Sequence, residues 1–380
     1  MRRPHNAMFN DNRFKLGLFS PNCAGGMAVT TVPERWRAGW EDNLALARMA
    51  DAAGIEFLLP IARWTGYGGE TDFQGDSLET ITWAAGLLAA TSRITVFATA
   101  HTAFTHPLVA AKQFATIDHI GAGRFGLNVV CGWNQPEYEM FGLELPRDHA
   151  ARYRYGQQWL DVIRTAWQSD APFDWDDEFF TLRHASCRPG PYGGTLPPIM
   201  NAGSSDEGRE FAARNCDFLF TVMVDPDSGA DTVRRMQALA RERYARELGV
   251  FTTTYVVCRP SDREAQDYHH HYAIECADAV AVERLMTLQG MHAQSFPREM
   301  IEALRVQFAG GHGVYPLVGS PDTVAAGIER IAAAGFAGAT IAFVNYLDEL
   351  PYFVAEVLPR LEAKGLRLPP GDVASGASAA

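Results

Sequence analysis

The chain has 380 residues, 47% of them hydrophobic, and a formal net charge of −12. That is enough apolar material for a sizeable core, and enough length for one large α/β barrel with insertions or for two ordinary domains. The acidic balance, with no basic block, excludes nucleic acid and anionic membrane as partners, because both require a concentrated basic surface. Arg2 and Arg3 are followed by polar residues and not by an apolar stretch, so no secretory signal is expected. No run of about 18 apolar residues is present, so no spanning helix is expected. Six cysteines are scattered without a C-x-x-C pair, which fits reduced thiols and a cytoplasmic location.

Short β-rich apolar runs alternate with longer helical patterns along the whole chain, the signature of parallel strands with helical crossovers. The strand-like runs are residues 15–19, 57–60, 94–98, 124–130, 199–202, 218–222, 252–258 and 340–344. Helical patterns cover 41–53, 78–90, 107–120, 153–168, 206–215, 230–247, 321–334 and 350–364. Eight strand–helix units are what a closed (β/α)8 TIM barrel requires. An open doubly wound sheet is the alternative, but the turn after Phe19 lacks the G-x-G-x-x-G spacing. The pattern predicts a flexible leader over 1–13, one barrel over 14–366 and a disordered tail over 367–380. Insertions fall at about 170–197, after the fourth strand, and 259–315, after the seventh. The first reads as a hairpin or loop cover. The second reads as partly helical, with Gly310-Gly311-His312-Gly313 as a mobile lid.

Barrel enzymes gather their chemistry at the carboxyl ends of the strands. Thr99 follows the apolar run Ile94-Thr95-Val96-Phe97, and Asn128 interrupts the run from Phe125 to Val130, so both are candidates to meet a planar polar ligand in the mouth. The loop Gly132-Trp133-Asn134-Gln135-Pro136-Glu137 offers an aromatic and a carboxylate, and Ala62-Arg63-Trp64 a cation and another aromatic. Arg152-Tyr153 opens a helix where a guanidinium can fork onto phosphate, and Gly203-Ser204-Ser205-Asp206 forms an anion-ready helix start, though a simple N-cap explains it equally well. His101, His106 and His312 are the histidines placed for acid–base work, although each taken singly reads as structural. Consecutive His269, His270 and His271 point about 100° apart on a helix, which is poor metal geometry, so no metal is expected. No G-x-S-x-G elbow is present.

The strings from Thr91-Ser92-Arg93-Ile94 to Phe141-Gly142, including Ala111-Lys112-Gln113-Phe114-Ala115-Thr116-Ile117-Asp118 and Gly123-Arg124-Phe125, resemble the luciferase-like flavin-dependent monooxygenases. The likeness runs from about Phe14 to Leu366. It is strongest to the members that oxidise pyrimidines, with those acting on dimethyl sulfone and alkanesulfonates as further relatives. The resemblance implies a bacterial-luciferase type barrel that binds FMN as FMNH2, uses O2, and receives its reduced flavin from a separate NAD(P)H:flavin reductase. It places flavin contacts on Ala62, Arg63, Asn128, Glu137, Arg152, Tyr153 and Ser205, and the oxygen-site pair on Thr99 and Asn128. It also implies a homodimer or homotetramer. Ala62-Arg63 stands where the pyrimidine enzymes have Ile-Lys, and the segment Gly310 to Gly319 lacks the arginine of the sulfonate enzymes, so a neutral or weakly acidic small molecule is the expected substrate. The rival expectations are a deazaflavin-dependent hydride-transfer oxidoreductase of the same superfamily and a flavin-binding protein without turnover.

Overall fold

The computed structural model describes residues 6–291 and 297–369. Eight parallel strands close into a barrel: β1 Lys15–Phe19, β2 Phe57–Leu59, β3 Thr95–His101, β4 Phe125–Val130, β5 Ile199–Asn201, β6 Phe218–Phe220, β7 Gly249–Cys258 and β8 Gly338–Ala342. They follow one another in chain order, and β8 pairs with both β7 and β1 to shut the ring. Helices between the strands bury their apolar faces on the outside of the sheet, as in the helix Pro107–Ile120, where Ala110, Ala111, Phe114 and Ile117 are buried. The (β/α)8 expectation is met strand for strand.

Because side chains alternate along a strand, one set fills the barrel. That set is aromatic: Phe57, Phe97, Phe218, Phe220 and Phe251 cluster with Leu59, Met200 and Met8. The rings of Phe57 and Phe251 lie 5.6 Å apart and those of Phe218 and Phe251 5.2 Å apart, both edge to face. Glycines opposite them make the room. A Cβ on Gly17 would fall 2.5 Å from the Phe57 ring, and one on Gly126 would fall 2.5 Å from Phe97.

The amino-terminal end of the barrel is sealed, and for residues 6–13 this corrects the expectation of a flexible leader over 1–13, whose residues 1–5 lie outside the described residues. Among residues 6–13, Ala7–Phe9 form a 3-10 turn whose Met8 plugs the barrel. Asn6 donates to the carbonyls of Gly123 and Phe125 and accepts from the Thr95 hydroxyl. Its apolar neighbours and its tie to the floor hold the segment down, signals that a polar stretch does not reveal by composition. At the other terminus Arg367, expected to begin a disordered tail, is buried against Glu56. The rest of that tail, from residue 370, lies outside the described residues.

The insertion after β4 contains the antiparallel hairpin Phe173–Asp176 with Thr181–Ala185, as expected. The insertion after β7 is partly helical, as expected, but its end differs from the expected lid. Its residues 298–311 form one helix, Arg298–Gly311, and the strand Tyr315–Gly319 pairs in parallel with the outer half of β7. Gly310 and Gly311 are therefore no lid. They let the helix settle on Tyr255, where a Cβ on Gly311 would lie 2.1 Å from the ring, and the Tyr272 hydroxyl donates to the Gly310 carbonyl at 2.9 Å. Among the described residues no helix is long and apolar enough to cross a membrane.

Candidate active site

The carboxyl ends of β2, β3 and β4 bring most of the expected residues together. Thr99 on β3 and Asn128 on β4 are direct register partners. The Thr99 hydroxyl donates to the Pro60 carbonyl at 2.6 Å and accepts from Asn128 Nδ2 at 3.1 Å. With its proton given to Pro60, that hydroxyl can offer Asn128 only a lone pair, which fixes the orientation of the amide. Asn128 Oδ1 is left buried and without a hydrogen-bond partner. An acceptor held out of water without a donor costs stability unless a ligand supplies one.

Beside this pair, Glu137 on the short helix Gln135–Met140 is wholly buried. Its Oε1 accepts from Arg63 Nη1 at 3.0 Å and from the Trp64 backbone N–H at 3.0 Å. The Arg63 guanidinium also donates through Nε to Gln74, and it lies 4.9 Å from the Tyr67 ring centre and 5.4 Å from that of Trp133. Glu137 Oε2 has no hydrogen-bond partner, and His101 Nδ1, 3.9 Å away, has none either. Burial, with the Arg63 charge adding to it, pushes the His101 imidazole down to about 3, so it is neutral across the physiological range. The same two causes, in the same order, push His312 down to about 3. His106 spends its ring nitrogen capping the helix that follows it, accepting from the Leu108 N–H at 3.3 Å. The structure thus places His101 and His312 as buried imidazoles and His106 as a helix cap, in line with the structural reading of each.

Arg152, Tyr153 and Ser205 form a second group on the β4–β5 side. Arg152 Nη1 donates to the Gly132 carbonyl at 2.9 Å, and its Nε is buried without a partner. Ser205 is the N-cap of the helix Asp206–Asn215, accepting from the Gly208 N–H at 3.2 Å, and its O–H is shared with the Glu207 carboxylate. Tyr153 reaches the same helix start: a Cβ on Gly203 or Gly208 would fall 2.4 or 2.5 Å from its hydroxyl. Both glycines thus keep a concave, donor-lined helix terminus, a geometry suited to an anion.

A cleft of about 190 Å³ opens next to the first group, lined by Ala62, Arg63, Trp64, Thr99, His101 and Phe104 among others. Gln74 and Asn134 belong to the same region and were not singled out by sequence. Gln74 is wholly buried at φ +59, and Asn134 Oδ1 is another orphaned acceptor. No spacing rule marks a lone buried amide. Among the described residues no group of histidine, cysteine and carboxylate side chains could hold a metal ion.

An eight-stranded α/β barrel whose carboxyl-terminal mouth gathers the unsatisfied buried polar atoms of His101, Asn128, Asn134, Glu137 and Arg152 has the organisation of a small-molecule enzyme. The chain belongs to the luciferase-like monooxygenase family, whose model matches residues 14–338, and is by class a flavin-dependent monooxygenase. It is 31% identical over 359 residues to the pyrimidine monooxygenase RutA of Enterobacter sp. (strain 638), an alignment spanning 92% of this chain and 97% of that protein. Among solved structures, the long-chain alkane monooxygenase LadA superposes with a TM-score of 0.84 at 18% identity, covering 96% of this chain and 94% of that one. DmoA from Hyphomicrobium sulfonivorans superposes with a TM-score of 0.82, also at 18% identity, covering 96% and 93%. At those identities the two structures speak for a shared fold.

Proposed function

We propose that the protein is the oxygenase of a two-component system, taking FMNH2 from a separate NAD(P)H:flavin reductase and using O2 to oxygenate a small organic molecule. The substrate class is a heterocyclic amide such as a pyrimidine, or an organosulfur compound. The observation that carries the reading is the Thr99–Asn128 pair, with Asn128 Oδ1 buried, fixed in orientation and lacking a donor.

The residues fit FMN at both of its ends. Arg152, with its orphaned Nε, the Tyr153 hydroxyl and the Ser205 N-cap supply cationic and hydroxyl donors for the phosphate. Ala62, Arg63 and Glu137 border the mouth where the ring system would lie, and Asn128 presents an acceptor toward it. Acceptors suit N–H donors, and a reduced flavin ring carries more of these than an oxidised one. When bound, reduced FMN supplies the two electrons that activate O2 for transfer of one oxygen atom to substrate. Thr99 and Asn128 hold the ring and the oxygen in register, while the buried Arg63–Glu137 pair fixes the loops on either side. Assembly as a homodimer or homotetramer belongs to the same proposal.

The test is a reductase-coupled assay with pyrimidines, sulfones and alkanesulfonates under labelled O2, read by mass spectrometry. Label should enter one product class with the wild type, and Asn128→Ala should lose that product while its unfolding midpoint changes little. O2 consumption absent under every reduced-flavin supply, with hydride transfer from a deazaflavin instead, would replace this reading by the deazaflavin one. FMN affinity without any turnover would leave a binding protein.

A further inference from the structure

The cleft beside Thr99 has two features that its neighbours do not explain. It presents no uncommitted charge, and its aromatic edge is touched by a residue from a different loop.

Three ionisable side chains line the cleft. Arg63 is already neutralised by Glu137 at 3.0 Å. The Glu79 carboxylate is spent as a helix cap, accepting from the backbone N–H groups of Ile81 and Thr82 at 2.9 and 2.8 Å. His101, buried and neutral, offers Nδ1 without a partner. An anion entering here would lose hydration without gaining a free cation, and a cation would find no free carboxylate. An uncharged molecule with its own donors and acceptors meets the Thr99 and His101 edge at no such cost.

Trp64 and Phe104 line this cleft from the loops after β2 and β3. Phe141, from the loop after β4, touches both. Its ring stacks on Phe104 at 4.2 Å with an interplanar angle of 18°, and meets Trp64 edge to face at 5.0 Å. Phe141 lies four residues after Glu137, one helical turn on, so the same helix face grips the Arg63-Trp64 dipeptide twice: Glu137 from inside and Phe141 from outside. Phe141 nevertheless remains 41% exposed, and Gly142, which follows it at φ +67, has nothing within 4 Å of where a Cβ would stand.

We propose that, with the flavin ring against Ala62 and Arg63, the remaining edge of this cleft along Thr99, His101 and Phe104 receives the substrate, that it admits an uncharged planar ring and rejects an anion of the same shape, and that Phe141 is its cover. The inference rests on the oxygenase reading for the identity of the reaction, but binding to the cleft can be measured without turnover. The cover excludes water from Thr99 and Asn128, which limits the loss of reducing equivalents to hydrogen peroxide.

Uracil and orotate serve as probes, since they share a ring and differ by a carboxylate. Binding of each to the FMN-loaded protein, followed by tryptophan fluorescence and by calorimetry, should favour uracil by tenfold or more. In the reductase-coupled assay Phe141→Ala should raise hydrogen peroxide formed per product at least threefold and raise KM, with FMN affinity unchanged, and Phe141→Tyr should restore coupling. Equal binding of uracil and orotate, or no binding of either, would overturn the cleft assignment. Unchanged coupling and KM in a folded Phe141→Ala protein would overturn the cover. If uracil binds with the expected preference and no compound is oxygenated, the cleft assignment stands and the oxygenase reading fails.

Discussion

Two buried glutamate–arginine pairs sit at opposite ends of the barrel, and they are finished differently. At the floor, Glu56 accepts from Arg367 at 2.6 Å, from the Leu16 backbone N–H at 2.8 Å, from Asn10 at 3.1 Å and from Asn12. Both of its oxygens are occupied. At the mouth, Glu137 has two donors on Oε1 and none on Oε2, and the orphaned atoms of His101, Asn128, Asn134 and Arg152 lie in the same region. Equal burial therefore conceals a division of labour. A closed network stabilises the fold, while an open one keeps bonding capacity for something that arrives later.

Removing one partner tests the division most directly. Arg367→Ala leaves Glu56 buried and uncompensated, and is expected to cost about 3–5 kcal/mol in denaturant unfolding. The fraction that still folds should bind FMN normally. Glu137→Gln keeps an oxygen for Arg63 and the Trp64 N–H, and Arg63 keeps Gln74 and its two aromatic neighbours, so the cost should be smaller, about 1–2 kcal/mol. FMN affinity should instead fall by roughly tenfold, equivalent to about 1.4 kcal/mol. Equal stability losses with unchanged FMN affinity would erase the distinction between the two ends.

A second contrast concerns pH. The floor network of Glu56, Arg367, Asn10 and Asn12 contains no histidine, whereas the mouth holds His101, pushed by burial and by Arg63 from an ordinary 6.5 down to about 3. The unfolded chain then binds a proton that the folded chain refuses. His101 thus contributes stability that is complete above pH 6.5 and declines as the pH falls toward 3, by roughly 1.4 kcal/mol per pH unit once well below 6.5. His101→Gln should flatten that part of the stability–pH curve. An unchanged slope would mean that the imidazole takes up its proton in the fold, with Glu137 Oε2 as its partner.

The two ends also differ in how far they could be read from the sequence. The strands could be read because each is a short apolar run followed by a helical period, and Thr99 and Asn128 stood out as polar residues closing such runs. The floor could not, because its polar segment looks like a loose leader until Met8 is seen inside the barrel and Asn6 on the carbonyls of Gly123 and Phe125. Gly310-Gly311 was misleading for a related reason. Glycine marks either freedom or close approach, and only the position of Tyr255 shows that it is close approach here. The strand Tyr315–Gly319 was hidden by Pro316 and by its place on the barrel's outside, where it extends β7 instead of joining the ring. The orphaned Oε2 that distinguishes Glu137 from Glu56 has no one-dimensional signature at all.

The smallest expected effect separates structure from recognition within a single residue. Ser205 caps the helix Asp206–Asn215 through its oxygen, and under the proposed function its proton is given to the FMN phosphate. Ser205→Ala removes both roles and should cost about 1 kcal/mol of stability. Ser205→Gly retains most of the capping preference, with a cost of only a few tenths of a kcal/mol, and removes the phosphate donor. The informative quantity is the ratio of FMN to riboflavin affinity, since riboflavin lacks the phosphate and cancels any general loosening of the mouth. That ratio should fall severalfold, and equally, in both variants. A fall in Ser205→Ala alone would show that the helix terminus matters through its order and not through the hydroxyl, and Ser205 would then belong with Glu56 among the residues that complete the fold.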